Sequence, residues 1–497
     1  MKKIALFLLL AGLCASSCSK FGYIGALDGT GYMNYPGPNP EDGPDIQISG
    51  DRFDEFKENP FVSVAETPVS SFSVDADGAA YAYMRLSVRN GLLIPKNSVR
   101  IEEYLNYFTF DYPEPASGET LGINAEAFAC PWAPEHLLIR LGLKGKTLSE
   151  NKIPSANFIF LIDTSGSMYG NDRLELVKTG LCAMVDAMRP DDRVAIITYS
   201  GSVKRLVEST LISKGAETIK RAIRSLDANG GTAGGPAMQM AYDEAKAHYS
   251  ESANNRIIMC TDGDFNVGVS STNELVEMVE KYQKSGIYLS IMGFGTGNFD
   301  DSRMESLSNH GNGTYNYIDS EEEMIKVFVN ERSHFYSVAN DTKCQVRFNP
   351  EAVAQYRLLG YENRLMSQEE FEDSSKDAGE IGAGQTVTAL YEVIPADGYT
   401  KDTSLATFET RYKFSLKDTE SRSLTTEVKT AATASENMNF AAGVAAYALV
   451  LRESEYKGSA TLSLARDLVS GARTFDPDGF RAQLVQLMDK LMDKWKD

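Results

Sequence analysis

The sequence predicts an α/β protein: a doubly wound, mostly parallel sheet over residues 151–331, inserted between β-rich flanks and followed by C-terminal helices. Three observations lead there. Phe158-Ile-Phe-Leu-Ile162 is an uninterrupted apolar run, which reads as a strand buried on both faces of a parallel sheet. From 157 to 331 strand and helix patterns alternate, as in a chain that winds back and forth across such a sheet. Beyond 331 period-two stretches recur at 344–348, 355–360, 386–394, 406–415 and 422–429, the mark of antiparallel β structure.

Taken in order, the chain opens with Met1-Lys2-Lys3, an apolar run from Ile4 to Leu13, and Ala15-Ser16-Ser17-Cys18. A charged start, a short apolar stretch and small residues before a cleavage point predict a signal peptide over 1–17. The apolar run is too short to span a bilayer. Small residues immediately before Cys18 resemble the bacterial lipobox, so Cys18 is the expected lipidation site and new N-terminus. The Gly-, Pro- and Asp-rich stretch that follows reads as a flexible tether, giving a lipidated tether over 18–58. The expected location is the cell envelope, with the membrane leaflet left open.

Residues 59–150 are expected to form a helical and β segment. Residues 68–76 alternate like a strand, 79–90 and 100–108 carry helical spacing, and 122–129 and 137–143 read as strands. The stretch Gly142-Leu-Lys-Gly145-Lys146-Thr147 mimics the end of a phosphate-binding loop. Arg140 stands where that motif's first glycine belongs, so no nucleotide site is predicted.

Within 151–331 Leu174, Val177, Leu181, Met184, Val185 and Met188 form one apolar helical face. Strands are expected at 194–199, 257–261, 287–294 and 314–318, and helices near 216–225, 235–248, 272–284, 302–308 and 320–331. The β-rich region 332–497 ends in helical patterns at 436–453, 459–472 and 478–494. The strands on either side of the central region are expected to share one sheet system, because each flank alone offers few strands and isolated hairpins are marginal.

Composition excludes some partners. The 49 basic and 69 acidic residues give a net charge of −20, so nucleic acid is a poor partner for the bulk surface. The four histidines are scattered, without a His-Glu-x-x-His arrangement, and there is no Cys-x-x-Cys. Cys182 and Cys260 fall in apolar patterns and read as buried thiols, while Cys130 and Cys344 are left as a conceivable disulfide.

Chemistry begins where the first buried strand should end. Asp163-Thr-Ser165-Gly-Ser167 places a carboxylate and two hydroxyls on one tight loop, three hard oxygens that suit Mg²⁺ or a similar cation. By itself the triplet reads equally well as turn and helix-cap residues. An aspartic-protease reading of Asp163-Thr-Ser-Gly would require a second copy of the motif, which the sequence lacks. Two more loops should reach the same sheet edge. Asn229-Gly-Gly-Thr232-Ala-Gly-Gly235 lies between two helices, with glycines that let backbone approach a ligand, and Thr261-Asp262-Gly263 ends another buried strand.

The order Asp-x-Ser-x-Ser, a later Thr and a later Asp resembles the von Willebrand factor type A domain and its metal-ion-dependent adhesion site. Asp163, Ser165, Ser167, Thr232 and Asp262 fill every position. Further stretches, among them Phe72-Ser-Val-Asp-Ala-Asp-Gly, Cys130-Pro-Trp132, Tyr361-Glu-Asn-Arg364 and Asp377-Ala-Gly-Glu-Ile-Gly-Ala-Gly-Gln, resemble the bacterial YfbK-type lipoproteins over roughly residues 51–495. The resemblance implies that Ser165, Ser167 and Thr232 ligate a divalent cation directly, with Asp163 and Asp262 acting through water. Mg²⁺ is expected first, with Mn²⁺ or Ca²⁺ as alternatives.

Three neutral oxygens leave most of the cation's charge unneutralised, so an open position favours an Asp or Glu of a protein partner. Met168, Tyr169, Asp264, Phe265 and Phe299 are expected to form the rim around that anchor. The function read from the sequence is a membrane-anchored, metal-dependent protein-binding module, not an enzyme. Two alternatives are a metal-dependent hydrolase, for which these loops offer no His and only Asp264 as an unassigned carboxylate, and a structural scaffold with a vestigial site.

Overall fold

In a computed structural model of the chain, residues 50–231, 234–263, 272–297 and 299–494 are described. The central sheet has six strands, in the order Tyr315–Ile318, Ile287–Phe294, Ala253–Thr261, Ser155–Asp163, Arg193–Tyr199 and Val203–Leu211. The first five run parallel and the last is antiparallel to its neighbour. Alternate residues of Ser155–Asp163 enter two different cores. Ile159 and Leu161 join the helices Gly234–Ala247, Thr272–Gln283 and Asp301–His310 on one face. Phe158, Phe160 and Ile162 join Leu174–Ala187, Ile212–Arg224 and Glu321–Ile325 on the other. Two covered faces explain the unbroken apolar run, and each such side chain contributes about 1.5–3 kcal/mol on burial.

The edge strand Val203–Leu211 has no counterpart among the expected elements. It carries Lys204, Arg205 and Glu208 exposed, because an edge strand needs only partial burial. The helix expected over 320–331 is α-helical only over Glu321–Ile325 and continues as a π-turn, Lys326–Asn330.

The two flanks build one β system. Leu137–Gly145 pairs with Leu121–Ala129 on one side and with Thr386–Pro395 on the other; Val353–Leu359 and Val62–Ser63 complete that sheet. The second sheet runs Leu365–Met366, Val69–Ser73, Ser337–Phe348, Ala406–Lys413 and Arg422–Val428, with Gly379–Gly382 also on Ser337–Phe348. All these pairings are antiparallel, and both sheets bury residues in a shared core that includes Phe72, Leu141, Val346, Tyr391 and Phe408.

The helix Glu436–Leu451 is apolar on every side because it lies inside a helical core. Around it pack Leu462–Ser470 and Phe480–Lys494, with Ala79–Asn90 and Ile101–Asn106 from the N-terminal flank. Ser435 caps it, accepting from the Met438 amide at 3.0 Å. Cys130 sits in this helical core and Cys344 in the β core; both are free thiols, so the conceivable disulfide is not formed. Cys260 is a buried free thiol, and Cys182 is half-buried.

Composition placed residues 50–58 in the tether, but Asp51 to Phe53 are already docked. Asp51 Oδ1 accepts from the amides of Gly297 at 2.6 Å and Phe299 at 3.1 Å, and Phe53 packs on Tyr83 and Phe299. Cys18 and the rest of the expected tether lie outside the described residues.

Candidate metal centre

Asp163 is the last residue of Ser155–Asp163, not the first residue beyond it as the apolar run implied. Parallel register sets it beside Tyr199 on one side, and Ala253–Thr261 lies on the other, ending just before Asp262. Asp163 and Asp262 are both fully buried at this carboxyl edge. Asp163 Oδ1 accepts from the Ser165 amide at 2.8 Å. Its Oδ2 is buried and makes no hydrogen bond of ordinary length among the described residues, although the Tyr199 hydroxyl faces the same carboxylate. Burial pushes the Asp163 carboxyl up to about 7, against the Ser165 hydrogen bonds and with the nearby charge of Asp262 adding to the rise.

Ser165 and Ser167 place their hydroxyl oxygens 2.9 Å apart. The short turn Gly166–Met168 holds them, and that turn is pinned from both sides. Thr164 donates its amide to the Tyr199 carbonyl at 2.8 Å, and Gly166 donates to the Gly230 carbonyl at 3.1 Å. Asn229 returns an amide to the Thr164 carbonyl at 2.9 Å. Gly230 adopts φ +83°, a conformation open to glycine at little cost, and this turns the Asn229 loop onto the serine loop. Thr232 itself, like Asp264 and Phe265, lies outside the described residues.

The helix-cap alternative fails on geometry. The helix after the loop begins at Leu174, its N-cap is Arg173, and neither serine caps it. What stands at the strand ends is an all-oxygen set: two adjacent hydroxyls and two buried carboxylates, one of which, Asp163, has an oxygen without a hydrogen bond of ordinary length. A buried carboxylate oxygen without a donor is costly unless something satisfies it. This set fits a hard divalent cation, which Ser165, Ser167, Asp163 and Asp262 would hold from these two loops.

Two rim expectations are corrected. Met168 is fully buried, since the turn that presents the serines directs it into the core beneath the loop, with Leu174 and Val177. Phe299 is also buried, between Tyr83 and Tyr317 and against Phe53, so it is structural. Tyr169 is 74% exposed and stays available as an apolar contact. The sequence reading missed Tyr199. The expected strand at 194–199 was a signal for the sheet edge on which Tyr199 falls, but its register beside Asp163 had none.

Comparison with known proteins places this geometry in context. The model of the von Willebrand factor type A domain family matches residues 157–331, that described as von Willebrand factor matches 47–140, and that of the YfbK C-terminal region matches 333–493. The uncharacterised protein YfbK of Escherichia coli K12 is 36% identical over 464 residues, spanning 88% of this chain and 80% of that protein. The inter-alpha-trypsin inhibitor heavy chain H3 of Homo sapiens is 30% identical over 179 residues, 34% of this chain and 20% of the heavy chain. Among solved structures, a von Willebrand factor type A protein from Catenulispora acidiphila aligns over 76% of this chain and 91% of its own, at 13% identity and a TM-score of 0.43.

Proposed function

The chain belongs to the YfbK family of von Willebrand factor type A domain proteins, and from that membership and the oxygen cluster we propose a lipid-anchored, metal-dependent protein-binding module of the cell envelope. The observation that carries the proposal is the buried Asp163 carboxylate, whose Oδ2 has no hydrogen bond of ordinary length, beside the Ser165–Ser167 hydroxyl pair. A divalent cation there, Mg²⁺ foremost, would supply a positive centre for an Asp or Glu side chain from a protein partner. The chain's own residues do the rest. Tyr199 and the Gly230 carbonyl hold the loop shape, and exposed Tyr169 offers apolar contact beside the anchor.

A net charge of −20 disfavours an acidic partner over the bulk surface, so a bound cation would supply attraction that the rest of the chain lacks on balance. A hydrolase reading lacks support from the loops. Hydrolysis needs a spare acid–base pair near the reacting atoms; Asp163 and Asp262 are committed to the cluster, and the loops offer no His and only Asp264 besides. The test is capture of envelope proteins on the immobilised chain with Mg²⁺ and with EDTA. Retention of a partner with Mg²⁺ and its release by EDTA are expected. A partner held equally under both conditions would overturn metal-dependent binding.

The anchor is tested separately. Cys18→Ala is expected to move the protein from the membrane fraction to the soluble one, because lipidation would occur at that cysteine. A variant that stays on the membrane through a carbonate wash would place the anchor elsewhere.

A further inference from the structure

We propose a second cation site, for Ca²⁺, in the cleft between the Asp301–His310 helix and the Gly379–Gly382 strand, with Asp341, Asp377 and Glu380 as its carboxylate ligands. The cleft encloses about 590 Å³ and is lined by Asp377, Glu380, Asn312 and Arg256, among others. Asn312 and Gly313 lead into the start of Tyr315–Ile318, whereas Asp163 ends its parallel strand. The two sites therefore lie at opposite edges of the central sheet, and this one does not depend on the binding function proposed above.

Asp341 sits at an irregularity of the Ser337–Phe348 strand, where register shifts against both Gly379–Gly382 and Ala406–Lys413. It adopts φ +48°, which is strained for a residue with a side chain, yet its carboxylate is buried. One oxygen from each of Asp341, Asp377 and Glu380 lies within 4.8 Å of the others. Ca²⁺ takes oxygen ligands at about 2.3–2.6 Å in irregular geometry, so one ion can reach all three after a small inward shift of the side chains. Lys413 donates to Asp341 Oδ2 at 2.6 Å and to the Ser374 carbonyl at 2.7 Å, which orients Asp341, and the Asp341 and Asp377 carboxylates lie within hydrogen-bonding reach of each other.

Acidic clusters occur without ions, and a separate observation points to a ligand here. Asn312 is only 2% exposed, lines this cleft, and has neither its amide oxygen nor its amide nitrogen hydrogen-bonded. Glu380 Oε1 is likewise buried without a hydrogen-bond partner. Native proteins satisfy nearly all such atoms, and an amide oxygen is an ordinary Ca²⁺ ligand. Two arginines line the cleft and their charges reach Glu380, but each bonds elsewhere: Arg256 directs its Nη groups to Ser290 Oγ at 2.7 Å and the Phe335 carbonyl at 3.0 Å, and Arg364 pairs with Asp75 at 2.8 Å. Neither Asp377 nor Glu380 forms an ion pair among the described residues.

Calorimetric titration of Ca²⁺ into the full chain carrying Asp163→Ala tests the proposal with the serine-loop site disabled. One equivalent of Ca²⁺ is expected to bind. Adding Asp377→Asn and Glu380→Gln, both close in shape to the native residues, should weaken that binding at least tenfold, with an unchanged circular dichroism spectrum. Asp377→Asn alone, at an exposed position, should already weaken it several-fold, which guards against a folding defect from Glu380→Gln. No Ca²⁺ binding by the Asp163→Ala chain, or binding indifferent to these substitutions, would overturn the site and leave the proposed binding function standing.

Discussion

Replacing Arg85 with alanine should destabilise the folded chain by about 3–5 kcal/mol, the range for removing one partner of a buried ion pair. Arg85 is fully buried in Ala79–Asn90. Its guanidinium bonds Asp319 through Nε at 2.7 Å, Glu323 through Nη2 at 2.6 Å and the Tyr107 hydroxyl through Nη1. A longer bond at 3.3 Å reaches Gln483 of Phe480–Lys494. One side chain thus ties the N-terminal flank, the end of the central α/β region and the last helix together. Without it, the balancing charge left to Asp319 is only the longer contact to Arg89 at 3.7 Å and that left to Glu323 only the nearby Lys326, and both carboxylates stay buried. Arg85→Lys should recover little, since an ammonium cannot match the planar fork.

The defect should also depend on pH. Although burial acts to raise it, Arg85 and Lys326 hold the Glu323 carboxyl below its ordinary range. A depressed carboxyl contributes stability above its unfolded value and loses it as pH falls through the folded one. The gap between wild type and Arg85→Ala should therefore narrow from pH 7 toward pH 4 and below. Urea titrations followed by circular dichroism measure it. A loss under about 1 kcal/mol at pH 7 would show that this cluster does not join the three regions.

Much of the architecture was legible because burial on two faces leaves a strong imprint. Phe158 to Ile162 announced a central strand, and the helical spacing of 79–90 matched the helix Ala79–Asn90 to the residue. Val203–Leu211 left no such imprint, because an edge strand with exposed charges resembles a loop. The shared β system was foreseen as pairing between flanks. Its register, Leu138 opposite Glu392 for example, depends on contacts more than two hundred residues apart and has no local signal.

The candidate centre divides the same way. Asp163, Ser165, Ser167 and Asp262 stood out because strand ends carrying oxygen-rich turns are visible in one dimension. Met168 and Phe299 were misplaced on the rim because an apolar residue beside a polar loop reads the same whether it faces solvent or core. Only the fold directs Met168 beneath the turn and Phe299 against Tyr83. The Asn312 and Glu380 cleft was invisible in sequence, since its walls come from distant segments.

The larger functional effect is expected at Asp163. Its carboxyl is raised to about 7, so its burial destabilises the metal-free fold progressively as pH rises from near 4 toward 7. Asp163→Ala removes that burden and the repulsion with Asp262. At pH 8 without metal it should therefore be at least as stable as wild type. Wild type should gain about 2.7 kcal/mol from Mg²⁺ at a hundredfold its Kd, by mass action on the folded state. The variant should gain none of it. Mg²⁺ binding should also strengthen as pH rises through 7, because the ion competes with the proton on Asp163.

Calorimetric titration of Mg²⁺ into wild type and Asp163→Ala at pH 8, with matched circular dichroism spectra, tests the central claim most directly. Saturable one-site binding by wild type and its loss in the variant are predicted. Equal Mg²⁺ affinity in the two proteins would contradict the account, reducing Asp163 to a residue that shapes a turn.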